Sequence, residues 1–469
     1  MKKITGIALM IGAALAAGCN SSSDSDNSGD KNPGETRAKN VIFFLGDGMG
    51  INTLTAARIY GVGEAGDLTM DTLPETAFIK TFSHDAQVTD SAPSMAAYMT
   101  GVKSNNGVIS MDGDATQQND CTLSAGKPVT TLLELAKADG RGTGVVTTTR
   151  ITHATPADTY AHICNRDLEA DIAVQMVPGG AGYNPALKDG IDVVLGGGSS
   201  FFLPQADKGK RTDGRNLIEE MKGQGYQFAS NLGELQGAAA GKPLLGLFGA
   251  SHMKYDLDRP QDEPSLSDMT LAAIKQLKDK EKGYFLMVEG GRIDHALHDT
   301  NAKRALQDTL ALDHAIQAAI DEVKKSDPEL KNTLIVVTAD HDHTLVLNGY
   351  AKRTGKTTAS NPGVLGLAKD YVNGDNLLDS DGMPYTIIGF GNGYNRVDGS
   401  RASVAPLDDA TVGADDYHQE VVVKVGELGS ETHGGTDVFL GAIGQGADSF
   451  HGSLDNTAVF GKIKAAAQL

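Results

Sequence analysis

The chain has 469 residues, of which 40% are hydrophobic and 22% charged, and its formal net charge is −19. This composition predicts a soluble, globular protein that is long enough to bury a large core. The acidic charge argues against nucleic acid or anionic lipid as a general partner, because both are polyanions.

The N-terminus has the pattern of an export signal. Two lysines precede an apolar run over 4–17 that is too short to span a bilayer, which predicts a signal peptide over 1–18. The run ends in LAAGC, which resembles a bacterial lipobox and predicts lipidation of Cys19; ordinary signal cleavage is the alternative. Residues 19–38, rich in Ser, Asp, Asn and Gly, are typical of a flexible tether. We therefore expect an exported protein, periplasmic or at the cell surface, held at a bacterial membrane by a lipid anchor.

Two further cysteines, Cys121 and Cys164, remain once Cys19 is set aside. In an oxidising compartment two remaining cysteines are a natural disulfide pair. The alternative is that both are unpaired small hydrophobic residues.

Five continuous apolar runs predict the strands of a parallel sheet. They are VIFFL (41–45), GVVTTT (144–149), DVVLGG (192–197), YFLMV (284–288) and TLIVVT (333–338). Runs without polar alternation suit strands that are covered on both faces. Helical patterns lie between them, over 131–138 and 305–323. The predicted fold class is α/β and doubly wound, with a mostly parallel central sheet flanked by helices, in one catalytic domain over 39–469.

The segment 345–431 has a different texture from the rest of the chain. It is rich in Gly, Asn and Asp and shows no long alternation of strands and helices. We predict an insertion that decorates the core. A disordered segment is the alternative, and the strand-like YTIIGFG (385–391) disfavours it.

Acidic, imidazole or hydroxyl side chains follow four of the predicted strands: Asp47, His153, Thr155, Glu289, Asp340 and His341. In open α/β sheets, ligands bind beyond the carboxyl ends of the strands. These side chains can therefore converge on one place, which predicts a metal site.

Ser91 lies in VTDSAPSMAAYMTG (88–101), where a helix is predicted to begin. A serine at this position is commonly a helix cap. As a nucleophile it would gain from the helix N-terminus, which favours negative charge on an alkoxide and on a bound phosphate. A serine hydroxyl needs a base or a metal for activation, and since the chain lacks a GxSxG pattern, metal activation is the better interpretation.

The pattern VEGGRIDHALH (288–298) places Asp294 and His298 four residues apart. On a helix these two side chains share a face and can hold one metal ion. Glu289 offers an oxygen ligand suited to magnesium. His433 in ETHGG is a further candidate ligand, whereas we predict ordinary structural roles for His343 and His314.

Arg166 follows the THATP segment. Its planar guanidinium can donate paired, charge-assisted hydrogen bonds to two phosphate oxygens. It is therefore the candidate residue for binding a phosphoryl group.

The motifs GDGMG, TDSAPS, THATP, NR, VEGGRID, ADHDH and ETHGG, in this order from about residue 40 to the end of the chain, resemble those of the alkaline phosphatases. The resemblance implies hydrolysis of phosphate monoesters through a phosphoserine on Ser91. It also implies a homodimer in which the insertion forms a crown near the dimer interface.

The resemblance further implies two zinc ions and one magnesium ion per chain. The first zinc would be bound by Asp294, His298 and His433. The second zinc would be bound by Asp47, Asp340, His341 and the Ser91 oxygen, and magnesium by Asp47, Thr155 and Glu289. Arg166 would hold the phosphate, and Asp90 would orient that arginine.

In detail the chain resembles the animal and marine bacterial branch. His153 and His295 stand in the substrate environment where the enteric bacterial enzymes carry Asp and Lys. Gly249 replaces the acidic ligand expected for the calcium site of animal members, so we expect no such site.

Two other functions compete with the monoesterase. One is a phosphodiesterase or sulfatase of the same superfamily, which would typically use Thr or a modified Cys where this chain has Ser91. The other is a lipoprotein that binds metal or phosphate without catalysis. The intact nucleophile beside complete ligand sets favours the monoesterase over both.

Overall fold

A computed structural model describes residues 37–117, 121–122, 124 and 126–469. The predicted signal peptide and Cys19 lie outside the described residues, as does the predicted tether apart from its last two positions. The strands are β1 (Asn40–Gly46), β2 (Glu75–Lys80), β3 (Gly142–Arg150), β4 (Val193–Gly197), β5 (Gln227–Ala229), β6 (Leu244–Leu247), β7 (Tyr284–Gly290), β8 (Thr333–Ala339), β9 (Asp342–His343), β10 (Leu345–Leu347), β11 (Ile388–Gly393), β12 (Val421–Lys424), β13 (His433–Gly434), β14 (Val438–Gly444) and β15 (Gly452–Asp455). The α-helices are α1 (Ile51–Val62), α2 (Ser91–Thr100), α3 (Leu132–Asp139), α4 (Ala154–Ala157), α5 (Glu169–Val174), α6 (Leu217–Gly223), α7 (Leu232–Gly237), α8 (Leu266–Leu277), α9 (Arg292–His298), α10 (Ala302–Lys324), α11 (Asp409–Val412) and α12 (Asn456–Ala467).

Ten strands form the central sheet, in the order β15-β2-β14-β8-β1-β7-β3-β4-β6-β5. The neighbours from β8 to β5 all pair in parallel, and β2 pairs in parallel with β15. Strand β14 pairs antiparallel with both of its neighbours. The sheet is therefore mostly parallel, as predicted.

All five apolar runs form strands of this sheet. Every residue of β7 and β8 is buried, and so is β1 after its first residue. Helices cover the sheet, and burial on both faces explains why these runs lack polar alternation. The α/β fold class is confirmed.

Both predicted helical patterns form helices, with α3 beginning one residue after 131 and α10 beginning three residues before 305. Thr131 and Glu134 form a capping box at the start of α3, each side chain accepting a hydrogen bond from the other's backbone N–H. Helix α10 buries an apolar stripe that includes Leu306, Ile316 and Val323. Such caps and stripes fix where each helix begins and which face it buries.

The segment predicted as an insertion contains a second sheet of three strands, β10-β11-β12. Strand β11 contains part of the YTIIGFG run and lies at the centre of this sheet. The rest of the segment consists mainly of turns and isolated bridges.

The two ends of the described region are joined. The backbone N–H of Ala38 donates to the carbonyl of Ala466 at 2.8 Å. The buried guanidinium of Arg141 donates to the carbonyls of Ala38 and Lys39 at 2.9 Å and of Ala467 at 2.5 Å. The start of β1 is thus bound to the end of α12.

A disulfide joins Cys121 and Cys164, whose Cα atoms are 5.5 Å apart, which confirms the predicted pair. Among the helices of the described residues, none combines the length and apolar character that crossing a membrane requires.

Candidate active site

The predicted site residues meet at the carboxyl ends of the adjacent strands β8, β1, β7 and β3. Asp47 follows β1, and its backbone continues into Gly48 at a φ of +67°. The N–H of Gly48 donates to Asp340 Oδ1 at 2.9 Å. A Cβ atom on Gly48 would lie 2.5 Å from the ring of His343, so only glycine allows this close approach.

Ser91 is the first residue of α2, and its side chain is 2% exposed. Its Oγ lies 3.2 Å from Asp47 Oδ1 and 3.2 Å from His341 Nε2. The helix cap is Asp90, whose carboxylate accepts from the backbone N–H of Ala92 at 2.7 Å. The serine hydroxyl is therefore not consumed in capping and faces the buried acidic and imidazole groups.

Asp294 and His298 lie on α9, with 3.2 Å between Oδ1 and Nε2. His433 lies on β13, where its Nε2 is 3.5 Å from Asp294 Oδ1 and 3.2 Å from His298 Nε2. These three residues, which the resemblance assigns to one zinc, are thus brought together by a helix and a distant strand.

Glu289 is fully buried near the end of β7. Thr147 and Thr149 of the neighbouring strand β3 both donate to its Oε2, the second at 3.3 Å. Thr155 Oγ1 lies 3.5 Å from Asp47 Oδ2. Two of the three oxygen ligands assigned to magnesium, Thr155 and Asp47, therefore lie side by side.

Arg166 lies between Asp90 and His153. Its NH1 is 3.4 Å from Asp90 Oδ1, and its NH2 lies 3.1 Å from His153 Nε2. The Asp90 carboxylate also accepts from the N–H of Gly107 at 2.5 Å. The ring centroid of His295 is 5.4 Å from that of His153.

The buried carboxylates repel one another strongly. Burial, followed by the charges of Asp340, Asp294 and Glu289, raises the pKa of Asp47 well above its ordinary value. Burial also raises the pKa of Glu289 to about 7, with the charge of Asp340 adding to the effect. Asp294 differs, because His298 and its other histidine partners outweigh burial and lower its pKa.

Divalent cations fit this donor set. Glu289 Oε1 and Asp340 Oδ2 are buried oxygens that lack a hydrogen-bond partner among the described residues. Burying unpaired carboxylates is costly unless positive charge neutralises them. Asp47, Asp340 and His341 also lie close enough together to hold one metal ion.

The structure adds residues that the sequence did not single out. We predicted an ordinary structural role for His343, but its Nε2 lies 2.8 Å from Asp294 Oδ1 and its Nδ1 lies 2.5 Å from Glu431 Oε2. Pairing of β9 with β13 sets His343 opposite His433. His252 likewise lies beside His295, with 4.3 Å between ring centroids. His314 is exposed on α10, as expected of a residue without a role in the site.

Comparison with known proteins agrees with this geometry. The family model for alkaline phosphatase matches residues 38–469. The tissue-nonspecific alkaline phosphatase of Gallus gallus is 38% identical over 448 residues, which cover 88% of this chain and 82% of that protein. An alkaline phosphatase of Gadus morhua is 37% identical over 450 residues and 89% of each chain.

Solved bacterial structures share the fold. Alkaline phosphatase from the Antarctic bacterium TAB5 matches with a TM-score of 0.64 at 25% identity, over 92% of this chain and 99% of that one. A mutant of that enzyme, described with Mg bound in the M3 site, matches with a TM-score of 0.65 at 25% identity, over the same shares of the two chains.

These matches define the class of protein, an enzyme that hydrolyses phosphate monoesters. The chain belongs to the alkaline phosphatase family.

Proposed function

We propose that this enzyme transfers the phosphoryl group of a monoester to Ser91 and then to water. The observation that carries the proposal is the position of Ser91 Oγ, buried at the N-terminus of α2 and 3.2 Å from both Asp47 Oδ1 and His341 Nε2. A helix N-terminus stabilises negative charge both on the attacking oxygen and on the phosphoryl group.

We further propose that two zinc ions and one magnesium ion complete the site. Asp294, His298 and His433 would hold the first zinc. Asp47, Asp340 and His341, together with Ser91, would hold the second. Sets that include histidine nitrogen suit zinc, whereas the all-oxygen set of Asp47, Thr155 and Glu289 suits magnesium. When bound, such cations neutralise phosphoryl charge and lower the pKa of the serine hydroxyl and of water.

The protein's own groups provide positioning. Arg166 would donate to two oxygens of the transferred phosphoryl group, while Asp90 holds the guanidinium in place. Ser91 Oγ forms a bond to phosphorus as the ester bond breaks, and the alcohol leaves with a proton. Water then breaks the phosphoserine bond, which releases inorganic phosphate and restores the hydroxyl.

Acid quench during turnover of a 32P-labelled monoester tests this mechanism. We expect one labelled phosphoserine at Ser91, which Ser91→Ala abolishes together with most activity. Ser94 provides the control, because it lies on the same helix but donates to the backbone carbonyl of Asp340 at 2.7 Å. Ser94→Ala should retain the label, and label at any residue other than Ser91 would refute the mechanism.

The rival functions are separated by one comparison of substrates. A monoesterase should hydrolyse a chromogenic phosphate monoester far faster than the matching diester or sulfate ester, whereas a binding protein should hydrolyse none of them. Elemental analysis of the same preparation should find about two zinc and one magnesium per chain.

A further inference from the structure

Three histidines and three arginines, Arg166 among them, form a cluster that the proposed mechanism does not fully use. We call it the histidine–arginine cluster; it consists of His153, His252, His295, Arg150, Arg166 and Arg292. The three ring centroids are 5.3, 5.4 and 4.3 Å apart, and each ring is only partly buried. The rings come from the loops after β3 and β6 and from α9.

Each ring accepts a hydrogen bond from an arginine. Arg166 NH2 lies 3.1 Å from His153 Nε2, and Arg292 NH1 lies 2.8 Å from His295 Nδ1. A guanidinium has donors but no acceptor, so the nitrogen that it contacts must be the acceptor.

The positive charge of the cluster is only partly compensated. Arg150 pairs with Glu169, with Nε 2.8 Å from Oε2, and Arg166 pairs with Asp90. Arg292 packs on the ring of Tyr255 instead, and its buried Nε lacks a hydrogen-bond partner among the described residues. Among the described residues, the Arg292 guanidinium is thus the one in the cluster that no direct ion pair holds, in a chain whose net charge is −19.

The three imidazoles could in principle bind a metal cation. A divalent cation placed among them would be repelled by three guanidinium groups in contact with the same rings. An anion at the same place would be attracted by all three and could accept hydrogen bonds from the guanidinium N–H groups. The cluster therefore favours an anion over a cation as its ligand.

We propose that the histidine–arginine cluster binds a second anionic group of the substrate, a carboxylate or a further phosphate, while Arg166 holds the phosphoryl group that is transferred. This inference rests on the proposed function. It assigns the enzyme a preference for phosphate monoesters whose alcohol part carries its own negative charge.

The test uses two substrates with the same carbon skeleton, 3-phosphoglycerate and glycerol 3-phosphate, which differ by a carboxylate and a hydroxymethyl group. The wild type should have the higher kcat/KM for the carboxylate ester. Arg292→Gln should lower the ratio of the two kcat/KM values about tenfold, as expected when a hydrogen bond to a charged group is lost. Arg292→Lys keeps the charge and should retain most of the preference.

Arg304 offers a matched control. Both guanidinium groups lie over the ring of Tyr255, that of Arg304 at 5.3 Å from the centroid and that of Arg292 at 3.9 Å. Arg304 differs because its Nε donates to Asp258 at 2.7 Å. Arg304→Gln should leave the substrate ratio unchanged. Because each ratio is measured on one protein, a general loss of activity in a variant cancels.

Two results would overturn the inference. One is a ratio of the two kcat/KM values that does not change in Arg292→Gln. The other is a His252→Ala variant that loses a bound metal ion while its ratio stays unchanged. If neither ester is hydrolysed, the proposed function fails and calorimetry with the same two esters decides the inference. The inference is supported if the wild type binds the carboxylate ester more tightly and Arg292→Gln removes this difference. Equal binding of both esters by the wild type would refute it.

Discussion

The resemblance to the alkaline phosphatases implies that His153 and His295 stand where the enteric enzymes carry an aspartate and a lysine. Burial, followed by the charges of Arg166 and the neighbouring histidines, lowers the pKa of His153 well below its ordinary value. Both rings should therefore be neutral at alkaline pH. We therefore expect the proposed phosphate site to lack the fixed positive charge of a lysine, and the proposed magnesium site to lack the negative charge of an aspartate.

Exchanging both residues should change phosphate affinity. We expect His153→Asp with His295→Lys to bind inorganic phosphate more tightly, by about tenfold for one added ionic contact, and to turn over more slowly because product release is often the slow step. The inhibition constant of phosphate and kcat measure the two effects. The wild type should also be activated by added magnesium, and an unchanged inhibition constant in the double variant would contradict this account.

Some residues of the candidate site could be predicted from their spacing in the sequence, and others could not. Asp294 and His298 share a local pattern whose helical spacing predicts that they meet. His343 has no such pattern, because its role depends on pairing with a strand about 90 residues away. His252 enters the site on a loop, and burial, followed by the charges of His295 and Arg150, lowers the pKa of its ring. No spacing in the sequence reveals these contacts.

At the level of elements, the buried strands were predictable, whereas the edge strands of the predicted insertion were not. Strands β1, β3, β4, β7 and β8 lie inside the sheet, so their sequences are continuous apolar runs. Strand β12 lies at the edge of a small sheet, where Val422 is 71% and Val423 52% exposed. Such a strand has little apolar burial to distinguish it from a loop, so its position depends on the tertiary structure.

The turn between β1 and α1 gives a prediction about an element. Gly48→Ala should impose a strained φ and push a methyl group into His343, which displaces Asp294. We expect more than a tenfold loss of activity together with weaker zinc binding, measured by competition with a chelator. Gly355 is the control, because its φ is +68° and a Cβ atom added there would meet no other atom within 4 Å.

Gly355→Ala should impose a similar backbone strain of about 1 kcal/mol but leave activity and zinc binding intact. Equal loss in both variants would show that strain, rather than the contact with His343, is responsible.

At the level of the whole molecule, the buried carboxylates predict how the metal-free protein responds to pH. The pKa of Glu289 is about 7 in the folded protein and 4.5 in an unfolded chain. A carboxyl group with a raised folded pKa stabilises the fold below pH 4.5, and this contribution is lost as the pH rises through 7. The loss is up to about 3 kcal/mol for this group.

Urea unfolding of chelator-treated protein should therefore show falling stability between pH 5 and 7. Glu289→Gln should flatten the pH profile, and added zinc and magnesium should restore stability at neutral pH. A metal-free protein whose stability rises over this range would show that the carboxylates are not held in this way.

We propose that the mature protein is lipid-modified at Cys19 and acts as a homodimer outside the cytoplasm. Cys19→Ser should release the protein into the soluble fraction, and mass spectrometry of the wild-type N-terminus should find the lipid. An unmodified N-terminus at another position would instead show ordinary secretion. Light scattering of the soluble variant should give twice the mass of one chain.

The joined ends of the described region have a consequence for the use of this enzyme. Arg141 binds the carbonyls of both Ala38 and Ala467, and β1 begins there and runs toward the site. Seven residues of extended strand, about 23 Å, separate this end of β1 from Asp47. A reporter or a solid support fused to the C-terminus would therefore lie near the amino end of β1, whereas the proposed catalytic groups lie beyond its carboxyl end. Immobilisation through that end should keep the entrance to the site open to solution.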